Sequence, residues 1–295
     1  MTTAGPTPEA MPERTPDATS DTNTNLRDFS GLIALIGAGK MGGALLEGWL
    51  RLGLDPRKVV VMEPEPLPHI AALADRGVRL NPDGETLRRA NIVVIAIKPQ
   101  AAAEALRPLA ANISSSALIV SIMAGRTLHF LSTIFPRAGA MVRAMPNMPA
   151  AIGRGITVAV AAKAEQRQRQ DAHRLLGATG AVEWVEDESL MDAVTALSGS
   201  GPAYVFLLAE ALAQAGAAVG LPATLAEKLA RETVAGAGEL LHQSRQDAAT
   251  LRQNVTSPGG TTAAALAILM RPNGLVRLME EAIAAATARS RELAG

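Results

Sequence analysis

Cysteine is absent from all 295 residues. Disulfides, thiolate metal sites and a cysteine nucleophile go with it, and a reducing compartment fits. Aromatic residues are scarce, at 2% of the chain, so Ala, Leu, Val and Gly must do the packing and close helix–helix contacts follow. Net charge is missing too, with 28 basic residues against 28 acidic ones. That argues against a nucleic-acid binder with a broad basic face. No apolar run approaches the length that spans a bilayer, residues 263–270 being too short, so no membrane association is expected. Neither His nor carboxylate pairs stand at metal-ligand spacing, and no metal is expected. The four histidines, His69, His129, His173 and His242, read as surface residues. Ser198 and Ser200 lack the strand–turn–helix context of a hydrolase serine. Residues 1–30 are rich in Thr, Pro, Asp and Asn and read as a disordered tail. They have neither the basic start nor the apolar centre of a secretory signal. A cytoplasmic location is the expectation.

What is present is organised around residues 32–43, LIALIGAGKMGG. Leu32 to Ile36 is a short apolar run, as in a strand buried on both faces. Gly37-Ala38-Gly39-Lys40-Met41-Gly42 is a G-x-G-x-x-G, and apolar residues then recur at helical spacing from Ala44 to Leu50. Gly37 permits a tight turn, Gly39 lets a pyrophosphate approach the backbone, and Gly42 lets helix and strand pack closely. The helix N-terminus adds free N–H groups and a positive dipole end. A dinucleotide site is the reading this context favours over a purely structural turn.

Val59 to Met62 reads as a second buried strand, and Glu63 at its end is placed to accept bonds from ribose hydroxyls. No Arg lies in Glu63-Pro64-Glu65-Pro66, so NADH looks better suited than NADPH; the plain alternative is a solvated glutamate at a strand end. Residues 91–97 form another central strand ended by Lys98-Pro99-Gln100, since Pro99 cannot continue a ladder. Lys98 is either close to the ligand crevice or merely a solvated charge. Further strands are expected at 117–122, 140–145 and 155–161, with helices at 70–76, 102–109 and 166–176 and an edge strand at 181–185. Alternation of this kind gives a doubly wound, mostly parallel sheet.

From about Glu188 strand-like runs stop and Ala-rich helices take over. One at 191–197 meets Ser198-Gly199-Ser200-Gly201-Pro202, where Pro202 suits the first position of a new helix. That helix, 203–219, is apolar nearly all round and needs burial on several sides. A two-fold subunit interface explains it, and a compact monomeric bundle is the alternative. Residues 254–262, NVTSPGGTT, then open a helix at 263–270. Gly259 and Gly260 bring N–H groups close, while Ser257, Thr261 and Thr262 add hydroxyls. On the residues alone this is either an anion site or only a helix cap. A last helix is expected at 275–293.

Taken together, IGAGKMG (36–42), AIKPQ (96–100), RAMPNMP (143–149), LSGSGPAY (197–204) and VTSPGGTTAAAL (255–266) resemble the pyrroline-5-carboxylate reductase family. The glycine turn is shared by many dehydrogenases; the SPGGTT loop with SGSGPAY is specific to this family. The resemblance runs from about Leu32 to Leu293. It implies an α/β N-terminal Rossmann-like domain over 31–187 and an all-α C-terminal substrate-binding and dimerisation domain over 188–295. It also implies a homodimer, in some members built further into a ring of dimers. NADPH or NADH would contact Gly37 to Gly42, Ala96, Ile97, Lys98, Pro99, Ala124 and Asn254. A family asparagine falls within the turn at 81–85. The carboxylate of 1-pyrroline-5-carboxylate would be held by Ser257, Gly259, Gly260, Thr261 and Thr262, with Thr262 as hydrogen-bond donor to the ring nitrogen. Dehydrogenases of the 3-hydroxyacid or prephenate type use a catalytic Lys or His on the interdomain helix, and residues 198–209 hold neither. A non-catalytic nucleotide-binding protein on the same fold would not need Asn254 and the intact loop at 257–262.

Overall fold

In the computed structural model, which describes residues 25–294, eight strands form one sheet in the order β3-β2-β1-β4-β5-β6-β7-β8. At its centre is β1 (Ile33–Ile36), paired in parallel with β2 (Val59–Met62) on one side and β4 (Ile92–Ile95) on the other. Ile33 sits level with both Val59 and Ile92. All four β1 residues are buried, which is why the strand reads as an unbroken apolar run rather than an alternating one. β3 (Arg79–Leu80) closes one edge; β5 (Leu118–Ser121) and β6 (Ala140–Met145) continue the parallel sheet on the other side. β7 (Gly155–Ala162) runs antiparallel to β6, and β8 (Gly180–Trp184) runs parallel to β7 at the far edge.

Helices cover both faces. On one lie α1 (Lys40–Arg51) and α6 (Gln166–Leu176), whose Leu45, Leu46, Trp49 and Leu175 join the strands in a single core. The Trp49 indole N–H donates to the Leu175 carbonyl at 2.8 Å, so the largest core side chain buries no orphan donor. On the other face lie α4 (Ala102–Ala110) and α5 (Leu128–Ile134), which contribute Leu106, Leu131 and Ile134. Two short helices, α2 (Pro68–Ala71) and α3 (Gly84–Arg88), fill the links around β3.

The helical part contains α7 (Met191–Val194), α8 (Gly201–Ala218), α9 (Ala223–Gln243), α10 (Ala248–Asn254), α11 (Thr261–Leu269) and α12 (Leu275–Ala294). A buried ion pair ties it to the sheet. Arg143 of β6, almost fully buried, donates to Glu188 Oε1 at 2.9 Å, and the same oxygen accepts from Leu128 N at 2.8 Å. On the helical side, Ser290 of α12 donates to Asp192 of α7 at 2.7 Å.

Two expectations are corrected. The tail read over 1–30 lies outside the described residues as far as 24, but from residue 25 the chain is packed. Leu26 and Phe29 are core residues, Leu26 N donates to Leu52 O, and the Arg174 guanidinium donates to Asn25 O and to Asp28. Second, the helix before Ser198 does not run out into a loop. It passes into a π-helical segment at Thr195–Gly199, in which Ser200 N donates to Thr195 O at 2.9 Å, and α8 begins directly after it at Gly201 with Pro202 in its first positions, as expected. The wider turn accommodates Pro202, which has no N–H to give. By length and composition alone the stretch Glu188–Ala218 is able to cross a membrane, although no single uninterrupted apolar run in the sequence is.

Candidate active site

The strand order reverses between β1 and β4, since β1 leads outward to β2 on one side while β4 starts the march to β8 on the other. A crevice at the carboxyl ends of those two strands is where an open α/β sheet binds its ligand. Residues 37–42 follow β1 directly and Ala96 to Pro99 follow β4, so the two sequence motifs meet there. A Cβ on Gly42 would stand 2.2 Å from the Gly37 carbonyl and 3.0 Å from the Ala96 Cβ. One on Gly37, whose φ is +92°, would stand 2.7 Å from Ile97 Cγ2 and 2.8 Å from Ala96 O. Gly39 differs: a Cβ there would meet nothing within 4 Å. The space a pyrophosphate needs is therefore open at the one glycine whose role is to admit it.

Gly39 is also the N-cap of α1, where it offers no side-chain acceptor, and the first turn of the helix carries no acidic residue. Its N–H groups and dipole are left for an anion. Lys40 is exposed at the first helical position and Met41 is half-buried beside it. Glu63, at the end of β2, reaches the turn: its Oε2 accepts from Ala38 N at 2.9 Å. Asn81 fixes the Glu63 backbone from both sides, its Oδ1 accepting from Glu63 N and its Nδ2 donating to Glu63 O, each at 2.9 Å.

Ala124, which follows β5, is exposed on the same side of the sheet. Beside it, Arg126 was not singled out from sequence. Its guanidinium donates twice to the Pro99 carbonyl, at 3.0 and 2.7 Å, and lies 4.8 Å from the Phe130 ring centre. It pins the strand-end loop of β4 to the loop after β5. A lone arginine in a polar loop gives no signal of this in sequence. Lys98 is exposed at the same strand end.

The second motif forms its own open cradle. α11 begins two residues earlier than the apolar pattern suggested, so Thr261 and Thr262 stand in its first turn. Gly260 is the N-cap, again without a side-chain acceptor, and no acidic residue lies in that turn. Gly259 has φ +69° and Gly260 N donates to Ser257 O at 3.0 Å, closing a tight turn. Thr262 is half-buried, and its hydroxyl has no hydrogen-bond partner among the described residues. Hydrogen bonds from Asn254 to Thr262 all stay within this region: Asn254 donates to Gln246 at 2.9 Å and the Thr256 hydroxyl to Arg252 O at 2.6 Å. Among the described residues none reaches the glycine turn, so within one protomer the two motifs are not joined by hydrogen bonds.

Residues 188–293 match a family model described as pyrroline-5-carboxylate reductase dimerisation, and residues 32–125 match one described as NADP oxidoreductase coenzyme F420-dependent. A pyrroline-5-carboxylate reductase of Haemophilus influenzae is 39% identical over 265 residues, covering 89% of this chain and 97% of that protein. The chain belongs to the pyrroline-5-carboxylate reductase family. A solved member from Coxiella burnetii superposes with a TM-score of 0.82 at 34% identity, over 89% of this chain and 98% of that one. A Plasmodium falciparum member with NADP bound gives a TM-score of 0.74 at 28% identity, over 90% and 98%. Membership makes this chain an NAD(P)H-dependent oxidoreductase of proline biosynthesis, acting on the CH–NH bond of an imine.

The reductase family's dimerisation region accounts for the surface of the helical part. Phe206, Leu207, Leu208 and Leu212 of α8, Leu229 of α9 and Ile268 of α11 are all exposed in the single chain. A cavity of about 830 Å³ lies open between α8 and α9, walled by Val205, Phe206, Ala213 and Val234. Helices with no buried face must find one in a second copy, and the protein is a homodimer.

Proposed function

We propose that the glycine turn and the α11 loop act together as one active site that reduces 1-pyrroline-5-carboxylate to proline, with the two motifs brought together by dimer assembly. The observation that carries this is the pair of helix N-termini, on α1 and α11, each capped by glycine and free of acidic residues. The first suits a pyrophosphate and the second a substrate carboxylate. In this reading the sheet domain spans 31–187 and the helical domain 188–295.

NADPH or NADH lies along Gly37 to Gly42, with Glu63 at the adenosine end and Ala96, Ile97, Lys98, Pro99 and Ala124 along the crevice; Asn254 comes from the helical domain. When bound, the dinucleotide supplies a hydride to the imine carbon. The protein's residues do the rest. Gly259 and Gly260 N–H groups, with the Ser257 and Thr261 hydroxyls, hold the carboxylate and fix which face of the ring is presented. Thr262 donates a hydrogen bond to the ring nitrogen, so that negative charge does not build up there. The product is a basic amine, so the ring nitrogen takes its proton from solvent without a strong enzyme acid, and the Thr262 hydroxyl at the first turn of α11 has only to hydrogen-bond and position that nitrogen.

Oxidation of NAD(P)H on addition of 1-pyrroline-5-carboxylate tests the activity. Thr262→Ala should lower turnover by about one to three orders of magnitude with an unchanged melting temperature; unchanged turnover removes Thr262 from the mechanism. The remaining parts of the reading are a cytoplasmic enzyme, without a membrane partner, whose dimer is also the unit that some members of the family build into a ring.

A further inference from the structure

We propose that Glu63 reads the 2′ position of the adenosine ribose and makes this reductase prefer NADH to NADPH. The inference rests on the reading above only in placing a nicotinamide dinucleotide on the glycine turn.

The Glu63 carboxylate is positioned, not loose. Oε2 is bonded to Ala38 N, inside the turn itself, at 2.9 Å. Asn81 holds the Glu63 backbone through both its N–H and its carbonyl. Asn81 takes φ +45°, a left-handed conformation that asparagine tolerates better than most side chains and that ends β3 in a turn. Oε1 has only a long contact, 3.4 Å, from Glu65 N. One carboxylate oxygen is thus spent on the turn and the other keeps its capacity to accept.

That arrangement matches a ribose diol, whose hydroxyls donate. It opposes a 2′-phosphate, which at neutral pH carries about −1.5 to −2 charge and only accepts. A phosphate there would need an arginine or lysine beside it, and Pro64-Glu65-Pro66-Leu67 supplies none while adding a second carboxylate. His69 on α2 is engaged with Glu47, 3.6 Å away. The segment therefore both attracts the 2′-hydroxyl and repels the 2′-phosphate, the two halves of a specificity device. The Plasmodium falciparum relative was solved with NADP bound; the inference sets this chain apart from it.

The test is direct binding of NADH and of NADPH to the full chain, by calorimetry, with no imine present. Wild type should bind NADH at least about tenfold more tightly. Glu63→Gln should loosen NADH and tighten NADPH, bringing the two within about threefold of each other. Asn81→Ala keeps the carboxylate but frees its backbone, and should weaken NADH while leaving NADPH little changed. Thermal melting of each variant separates these effects from unfolding, and Glu63→Ala serves if the glutamine variant is unstable. Equal or tighter binding of NADPH by wild type overturns the proposal. A ratio that neither Glu63 variant alters overturns the assignment to this residue. Because binding is read without imine, a failed reductase assay leaves this result standing, and an NADPH preference leaves the reductase reading standing.

Discussion

Three glycine-to-alanine changes in one turn separate a cofactor cradle from a structural bend. At Gly42 the added Cβ would lie 2.2 Å from the Gly37 carbonyl. Carbon and oxygen do not approach below about 3 Å, so α1 must retreat by roughly 1 Å, dragging its N-terminal N–H groups with it. Overpacking of this kind costs about 1–3 kcal/mol, or about 2–12 °C in melting temperature for a domain of this size. The same retreat turns 2.9 Å hydrogen bonds to the pyrophosphate into contacts near 4 Å, and about tenfold or more of cofactor affinity goes with them. At Gly37 the strain is compounded by φ +92°, so Gly37→Ala should be the least stable of the three. Gly39→Ala is the discriminating variant. Its Cβ meets nothing within 4 Å, and alanine in place of glycine at an N-cap costs about 0.5–1 kcal/mol. The ligand-free protein should therefore melt within about 1–4 °C of wild type, while NAD(P)H affinity falls by about tenfold or more, because the methyl occupies pyrophosphate space. Calorimetric melting without ligand and titration with NADH and NADPH read both quantities. Gly39→Ala that binds both cofactors as wild type does would refute the reasoning, because the open space would then serve nothing.

Two further tests concern stability. Glu188→Ala leaves the Arg143 guanidinium, 5% exposed, without its carboxylate and strips the acceptor from Leu128 N; a loss of about 3–5 kcal/mol is expected as a shift of the urea midpoint. Glu188→Gln keeps an acceptor oxygen and should cost about 1–2 kcal/mol; equal losses would mean that charge plays no part in the tie. Burial holds the Asp171 carboxyl above its ordinary value of 3.8, against the opposing charges of Arg167 and Arg174. A carboxyl whose folded-state pKa is raised penalises folding once it ionises, so the penalty is absent below pH 3.8, grows as pH climbs through the raised value, and then stays constant. Asp171→Asn should therefore melt higher than wild type at pH 7, with the gap closing towards pH 4. A gap independent of pH would assign the effect to packing instead.

Where one local rule dictated the outcome, the sequence was readable. β1 is buried on both faces, and a buried strand followed by G-x-G-x-x-G and a helical pattern leaves one arrangement for the turn. The α11 loop was readable for the same reason, its glycines and hydroxyls preceding a helix with no other cap. Helices α5 and α10 were passed over because each spans only two turns, 7 residues, too short for a periodicity to emerge, although Thr127 and Asp247 cap them through Phe130 N and Thr250 N. Leu26 and Phe29 were lost in a polar segment: two apolar residues among charged ones carry no pattern, yet both fill the core beside Trp49. The tie from Arg126 to the Pro99 carbonyl spans 27 residues of sequence and so leaves no local pattern.

The helical boundary shows what kind of information a sequence pattern omits. Ser-Gly-Ser-Gly-Pro looks like a break because each of those residues, taken singly, disfavours helix. The structure keeps the helix by changing its pitch. Ser198 Oγ donates to Val194 O at 2.9 Å, Ser200 Oγ to Thr195 O at 3.3 Å, and the Tyr204 hydroxyl to Ala196 O at 3.0 Å. Val194 O and Ala196 O thereby gain side-chain donors, and Thr195 O accepts from the Ser200 hydroxyl as well as from Ser200 N. Gly199 lies close to the sheet: a Cβ there would stand 2.6 Å from Met145 Cε at the end of β6, so the methionine methyl would have to move aside. The same five residues that would end an isolated helix thus let this one pass close over the sheet's carboxyl edge. The polar character that reads as a loop is the chemistry that lets the π segment pass the carboxyl end of β6, where Gly199 lies beside Met145, while α8 itself keeps no buried face in the single chain.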